Sequence, residues 1–125
     1  MSKEWKPSSH EAFVGLQILD KLKNETPRRF TKEELASEFY INPRTVRHLL
    51  HWLEEEKKEP ILATSDRKGY VYATDEMIAE MLHARAERIR RAEKTLAGNQ
   101  GIDRKLRRLG VPVEEVKLQY GNYKV

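Results

Sequence analysis

The chain is expected to fold as a mainly α domain with a small β-hairpin, followed by a long helix. Three observations predict this. Through most of the first 58 positions apolar residues recur at spacings of three and four, the period of an amphipathic helix. Between Pro60 and Thr74 that period gives way to two short runs rich in β-branched and aromatic residues, "PILATSD" and "GYVYAT", with "DRKG" between them. From Thr74 a helical pattern resumes and meets no proline or glycine before Gly98.

Each element carries a local signal. "SSHEAFVGLQILDKLKNE" opens with Ser8 or Ser9 as a cap and Glu11 close behind, and then offers Ala12, Leu16 and Leu19 with Ile18 and Leu22 on an adjoining strip. Pro27 interrupts it. "TKEELASEF" restarts with Thr31 as N-cap and Glu34 three residues later, a capping box, and turns Leu35, Ala36 and Phe39 inward. After the short turn "YIN", Asn42 caps a helix predicted to run to about Lys58, with Pro43 at its first position, where a missing N–H is harmless. In the hairpin, Asp66 is placed to start a turn and Gly69 to supply a positive φ, which leaves Arg67 and Lys68 at a basic tip. The long helix is predicted over 75–97, capped by Thr74 or Asp75 and stopped at Gly98. "GNQG" breaks the pattern, "IDRKLRRLGV" reads as a short helix, and "PVEEVKLQYGNYKV" as a loosely held tail. The expected organisation is one domain over 1–74, a helical extension over 75–110 that serves oligomerisation, and a tail over 111–125.

Composition narrows the function. A chain of 125 residues with 38% hydrophobic content supports one modest core, which leaves no room for a large catalytic scaffold. With no cysteine it has neither disulfides nor thiolate metal ligands. The start lacks the apolar run of a signal peptide and no stretch approaches a membrane span, so the expectation is a cytoplasmic protein that does not engage membranes. No nucleophile–base pattern, glycine-rich phosphate loop or paired carboxylate stands out, and the protein is expected not to be an enzyme and to need no cofactor. His48 and His51, three apart, have only His10 and His83 to join them, too little for a closed zinc site. The net charge of +4 is unevenly spread. Residues 84–108 hold nine basic side chains against three acidic ones, whereas residues 31–58 hold five against six. A nucleic-acid contact within 31–58 therefore depends on placed residues and not on bulk charge.

The segment "INPRTVRHLLHWLEEE", residues 41–56, places such residues. At about 100° per residue, Val46, Leu49, Leu50 and Leu53 share one arc, and Arg44, Arg47, His48 and His51 share another on the far side. The first arc is built to pack on the preceding helices. A basic helix face is in most proteins a solvated face, and here the company it keeps argues otherwise.

Helix, helix, short turn, helix, hairpin is the order of a winged helix-turn-helix. "TKEELASEFYINPRTVRHLLHWLE" resembles the helix-turn-helix of bacterial transcription factors at Thr31, Glu34-Leu35-Ala36, Ile41-Asn42, Thr45-Val46, Leu50 and Leu53-Glu54, and "ILATSDRKGYVYATD" is similar to the wing of the same superfamily. Residues 9–97 as a whole resemble small winged-helix proteins of bacteria and their phages. The resemblance implies double-stranded DNA as partner, with the helix from 43 to 58 in the major groove. Arg44 and Arg47 are then base readers through paired hydrogen bonds to guanine, with Thr45, His48 and His51 as secondary contacts. Thr31 and Lys32 are expected on a phosphate, and Arg67 and Lys68 on the backbone or the adjacent minor groove. One position departs from the pattern: the turn has Tyr40 where glycine is usual, which costs roughly 1 kcal/mol if the site is left-handed.

On the long helix, Ile78, Leu82, Ile89 and Leu96 follow one another at spacings of four and seven, a short heptad-like seam with Arg85 and Ala92 between. The seam is expected to join two copies into a homodimer. Two classes of function follow: a sequence-specific DNA-binding regulator or phage control protein, or a module that tethers nucleic acid or docks a protein partner within a replication or packaging assembly.

Overall fold

The computed structural model describes residues 5–63 and 68–114. They form helices α1 (Ser9–Glu25), α2 (Lys32–Phe39) and α3 (Pro43–Glu55), a two-stranded antiparallel sheet of β1 (Ile61–Leu62) and β2 (Val71–Tyr72), and helices α4 (Ile78–Ala97) and α5 (Gln100–Arg108). The fold is mainly helical with a small hairpin. The chain divides into two compact units, Met1–Met81 and Leu82–Val125.

In the first unit the caps do what the local sequence demands. Ser8 Oγ accepts from the Glu11 N–H at 3.1 Å while Glu11 Oε1 accepts from the Ser8 N–H at 2.9 Å. Thr31 and Glu34 repeat the exchange at 3.1 and 3.0 Å, and Asn42 Oδ1 takes the Thr45 N–H at 2.7 Å. Each satisfies helix donors that otherwise lack partners. The core is built from Val14, Ile18, Leu19 and Leu22 of α1, Leu35 and Ala36 of α2, and Val46, Leu49, Leu50 and Leu53 of α3, joined by Phe30 and Ile61. Full burial of one such aliphatic side chain stabilises by about 1.5–3 kcal/mol.

The inner face of α1 differs from the expected one. Ala12 is only half-buried and Leu16 is 44% exposed, because α3 crosses α1 at Gly15 and centres the contact on Val14, Ile18 and Leu22. A β-carbon at Gly15 would lie 3.1 Å from Trp52 Cζ3 and 3.2 Å from Leu49 Cδ2, so glycine sets how closely the two helices approach. α3 also ends at Glu55, short of Lys58. Lys58 is left-handed (φ 56°) and the Glu59 N–H donates back to the Leu53 carbonyl at 3.1 Å, a turn that delivers Ile61 to the sheet.

The hairpin pairs Ile61 with Tyr72 and Leu62 with Val71. Phe30, between α1 and α2, adds a third pairing that the sequence pattern does not announce. Its N–H donates to the Tyr70 carbonyl at 2.9 Å and its carbonyl accepts from the Tyr70 N–H at 2.7 Å. Gly69 has the expected positive φ, at 95°, and a β-carbon there would sit 3.1 Å from the Phe30 backbone, so two constraints converge on one glycine. Lys21 and Arg28 stand over the Phe30 ring, each 4.6 Å from its centroid. Lys21 also ties α1 to α2 through Glu38 of α2 at 2.7 Å while pairing with Glu25 of its own helix at 2.9 Å, and the hydrogen bonds it donates to these two carboxylates, that to Glu38 foremost, raise the lysine pKa.

α4 begins at Ile78 and not at 75, because Thr74 to Met77 close a separate turn, with the Met77 N–H donating to the Thr74 carbonyl at 3.0 Å. The break expected over "GNQG" is narrower than its four residues: α5 starts at Gln100 after a two-residue turn at Gly98 and Asn99. α5 stops at the left-handed Gly110, where the Val111 N–H reaches the Leu106 carbonyl at 2.9 Å. Among the described residues no helix is long and apolar enough to cross a membrane.

Candidate nucleic-acid interface

α3 separates its two arcs cleanly. Val46, Leu49 and Leu53 are 0% exposed and Leu50 is 2% exposed, while Arg44, Arg47 and His51 on the opposite side are exposed. Neither Arg44 nor Arg47 meets a carboxylate among the described residues, in contrast to Arg28, which reaches Glu25 at 3.3 Å, and Arg29, which pairs with Glu80. Both arginine heads are thus available to a ligand. The cap that begins α3 orients them: Asn42 starts the helix and Pro43 prevents it from extending backwards.

The charges of α3 run against its dipole. Arg44 lies at the second helical position, the first turn has no acidic residue, and Glu54, Glu55 and Glu56 crowd the C-terminal end, where the last turn has no basic one. Helix stability favours the reverse arrangement by about 0.3–1 kcal/mol per charge. Arg44 therefore stands where it does at some cost to the helix.

The secondary contacts are less free than the helical spacing implies. Thr45 donates its hydroxyl proton to Asn42 Oδ1 at 3.0 Å, so toward a ligand it can only accept. His48 is half-buried beneath Trp5, the two rings stacked at 4.9 Å between centroids and 29° between planes. His51 is exposed, with Nδ1 at 3.8 Å from Glu54 Oε2. Trp5 is a residue of this face that helical periodicity does not reveal, since it precedes the first helix by four positions. It closes one side of an open cleft of about 720 Å³ whose other walls include His51, Trp52 and Glu55.

At the start of α2, Thr31 and Lys32 are half-buried. The Thr31 N–H is taken by Glu34, and Glu33 and Glu34 place two carboxylates in the first turn. The backbone N–H of Thr31, then its hydroxyl, hold the Glu34 carboxyl below its usual pKa. Arg28 and Lys68 add smaller attractions, which puts the Lys68 ammonium within electrostatic reach of this helix start. A phosphate there would meet Lys32 and Lys68 but also the glutamates. Lys68 is exposed; Arg67, the other basic residue of the tip, lies outside the described residues, as does Asp66. On α4, Ile78 and Leu82 are 60% and 39% exposed, and Ile89 and Leu96 are half-buried.

Comparison of the chain with protein-family models, with curated proteins and with solved structures gives no match. Its function has to be read from its own residues.

Proposed function

We propose that the protein is a sequence-specific DNA-binding protein of the winged helix-turn-helix kind, a small transcriptional regulator or phage control protein that reads the major groove with α3 and acts as a homodimer. One observation carries the reading: Arg44 and Arg47 are exposed and have no ion-pair partner among the described residues, in the first half of a helix whose opposite arc is wholly buried, and the helix dipole opposes the placement of Arg44. The Phe30–Tyr70 pairing supports it. It adds a strand position between α1 and α2, so that the order is helix, strand, helix, helix and then hairpin, with the hairpin tied back to the helical core. The left-handed backbone of Tyr40, φ 55° and ψ 42°, supports it as well, since this is the conformation that makes glycine usual in such a turn.

In this mechanism Arg44 and Arg47 donate to guanine O6 and N7, His51 reaches a neighbouring base or phosphate, and Lys32 and Lys68 hold the backbone. Two half-sites require recognition helices about 34 Å apart in a dimer, and the strip of Ile78, Leu82, Ile89 and Leu96 on α4 is the element that joins the copies.

Selection from a random duplex library tests the proposal. The wild-type protein should enrich a short motif containing guanine in two related half-sites. Arg44→Ala and Arg47→Ala should each lose about 1–3 kcal/mol on that motif and relax base preference, with an unchanged thermal transition. Lys68→Ala should weaken specific and random duplex alike and flatten the salt slope by about one. Enrichment of no motif, with a protein partner or higher oligomer in its place, would replace this reading with that of an assembly module.

A further inference from the structure

In the first unit, Lys21, Arg28 and Arg29 are each matched to a carboxylate. The segment from 90 to 108 is different. Arg90, Arg91 and Lys94 of α4 and Arg104, Lys105, Arg107 and Arg108 of α5 are all exposed, and none has an ion-pair partner among the described residues. Only Glu93 and Asp103 offset these seven charges. The helix dipole accounts for Lys94, Lys105, Arg107 and Arg108, which stand in last turns. It does not account for Arg90, Arg91 or Arg104.

Their placement on the helices indicates what they face. Taking about 100° per residue, the centre of the Arg90, Arg91 and Lys94 arc lies roughly 150° around α4 from Ile89 and Leu96, and the basic arc of α5 lies roughly 150° from Ile102, Leu106 and Leu109. Ile102 and Leu109 are 61% and 67% exposed. A flat lipid surface that took up either apolar stripe would turn most of these cations away from its headgroups. The cations therefore address a separate anionic partner from the polar side of each helix. Arg90 and Lys94, and likewise Arg104 and Arg108, are four residues apart, about 6 Å along a helix axis, so each pair spans neighbouring phosphates on a strand.

We infer that the polar faces of α4 and α5 form a second nucleic-acid contact, one that binds the phosphate backbone without regard to sequence. It does not depend on α3 reading bases. Its role is to hold the protein on nucleic acid by counterion release, whatever sequence lies beneath.

The test uses the full chain carrying Arg44→Ala and Arg47→Ala, so that base reading is absent. Binding is measured from 50 to 300 mM salt to a random-sequence duplex, to a single strand of the same length and to phosphatidylserine-containing vesicles. The seven residues are changed to Gln, which keeps helix propensity, as the α4 set of three, as the α5 set of four, and together. The expected result is residual duplex binding that weakens at least tenfold with all seven changed, the slope of log K against log salt falling by up to about six, and each set lowering it in proportion to its charges. Replacing the five arginines by Lys should keep binding within about threefold, since a backbone contact reads charge. Stronger binding to the single strand than to the duplex would assign the surface to single-stranded nucleic acid and retain the inference. An unchanged salt slope in both sets overturns it. So does vesicle binding that Ile102→Ser with Leu109→Ser abolishes while no nucleic acid is bound. Failure of base reading shows instead as a missing motif in the library selection with this slope intact, so the two proposals fail separately.

Discussion

The Trp5 ring stacks on His48 at 4.9 Å, which pins the start of the chain against the outward side of α3. An aromatic pair of this kind contributes about 0.5–1.5 kcal/mol beyond the area it buries. A double-mutant cycle of Trp5→Ala and His48→Ala in urea denaturation should return a coupling of that size. On the proposed reading, Trp5→Ala should also weaken duplex binding, because it frees the imidazole beside the base-reading arginines. Strictly additive single effects would mean that the stack contributes nothing.

Tyr40 is 94% exposed and left-handed, so its side chain gains little from packing while its backbone occupies a conformation that L residues disfavour. Tyr40→Gly should stabilise the protein by roughly 0.5–1 kcal/mol after the extra chain entropy of glycine is discounted. The denaturation midpoint measures this. A lower midpoint would show that the ring does more than its exposure suggests.

Arg44→Glu separates folding from binding. A negative charge at the second position of α3 complements the dipole, and the variant should be more stable by roughly 1 kcal/mol. The same change should abolish recognition of the selected duplex. A variant that is less stable, or that still prefers the motif, contradicts the functional assignment of Arg44.

The acid limb of stability should reflect Glu34. Its folded-state pKa lies below the ordinary carboxylate value because the Thr31 N–H and hydroxyl bind its charged form. The stabilisation is therefore fully present above the unfolded-state pKa, about 4.3, and is lost as pH falls through the lower folded value. The stability gap between wild type and Glu34→Ala should be largest near neutrality and close between about pH 4 and the folded pKa. A gap that does not vary with pH would remove the charge-assisted cap.

Ile89 and Leu96 test the dimer. Ile89→Asp with Leu96→Asp should give a folded protein with half the wild-type mass in light scattering and much weaker binding to a two-half-site duplex. A wild-type protein that is already monomeric at tens of micromolar would discard the seam and, with it, the case for paired half-sites.

What could be read from the sequence alone was whatever a few neighbouring residues decide together. Thr31 and Asn42 were recognisable as caps, and Ser8 or Ser9 as a third, because a cap and its target lie three positions apart; the structure chose Ser8. Gly69 was legible as a positive-φ position, and the buried and exposed arcs of α3 follow from helical period. Arg44 and Arg47 could be singled out for the same reason. The tertiary structure decided what distant residues do to one another. Trp5 covers His48 from 43 positions away, Phe30 pairs with Tyr70, Arg29 with Glu80, and the crossing at Gly15 moves the inner face of α1 away from Leu16. Such contacts depend on how helices cross and where loops close. A one-dimensional period carries no record of that, because the free energy choosing among crossings comes from shape matched across the whole core and not from any one segment.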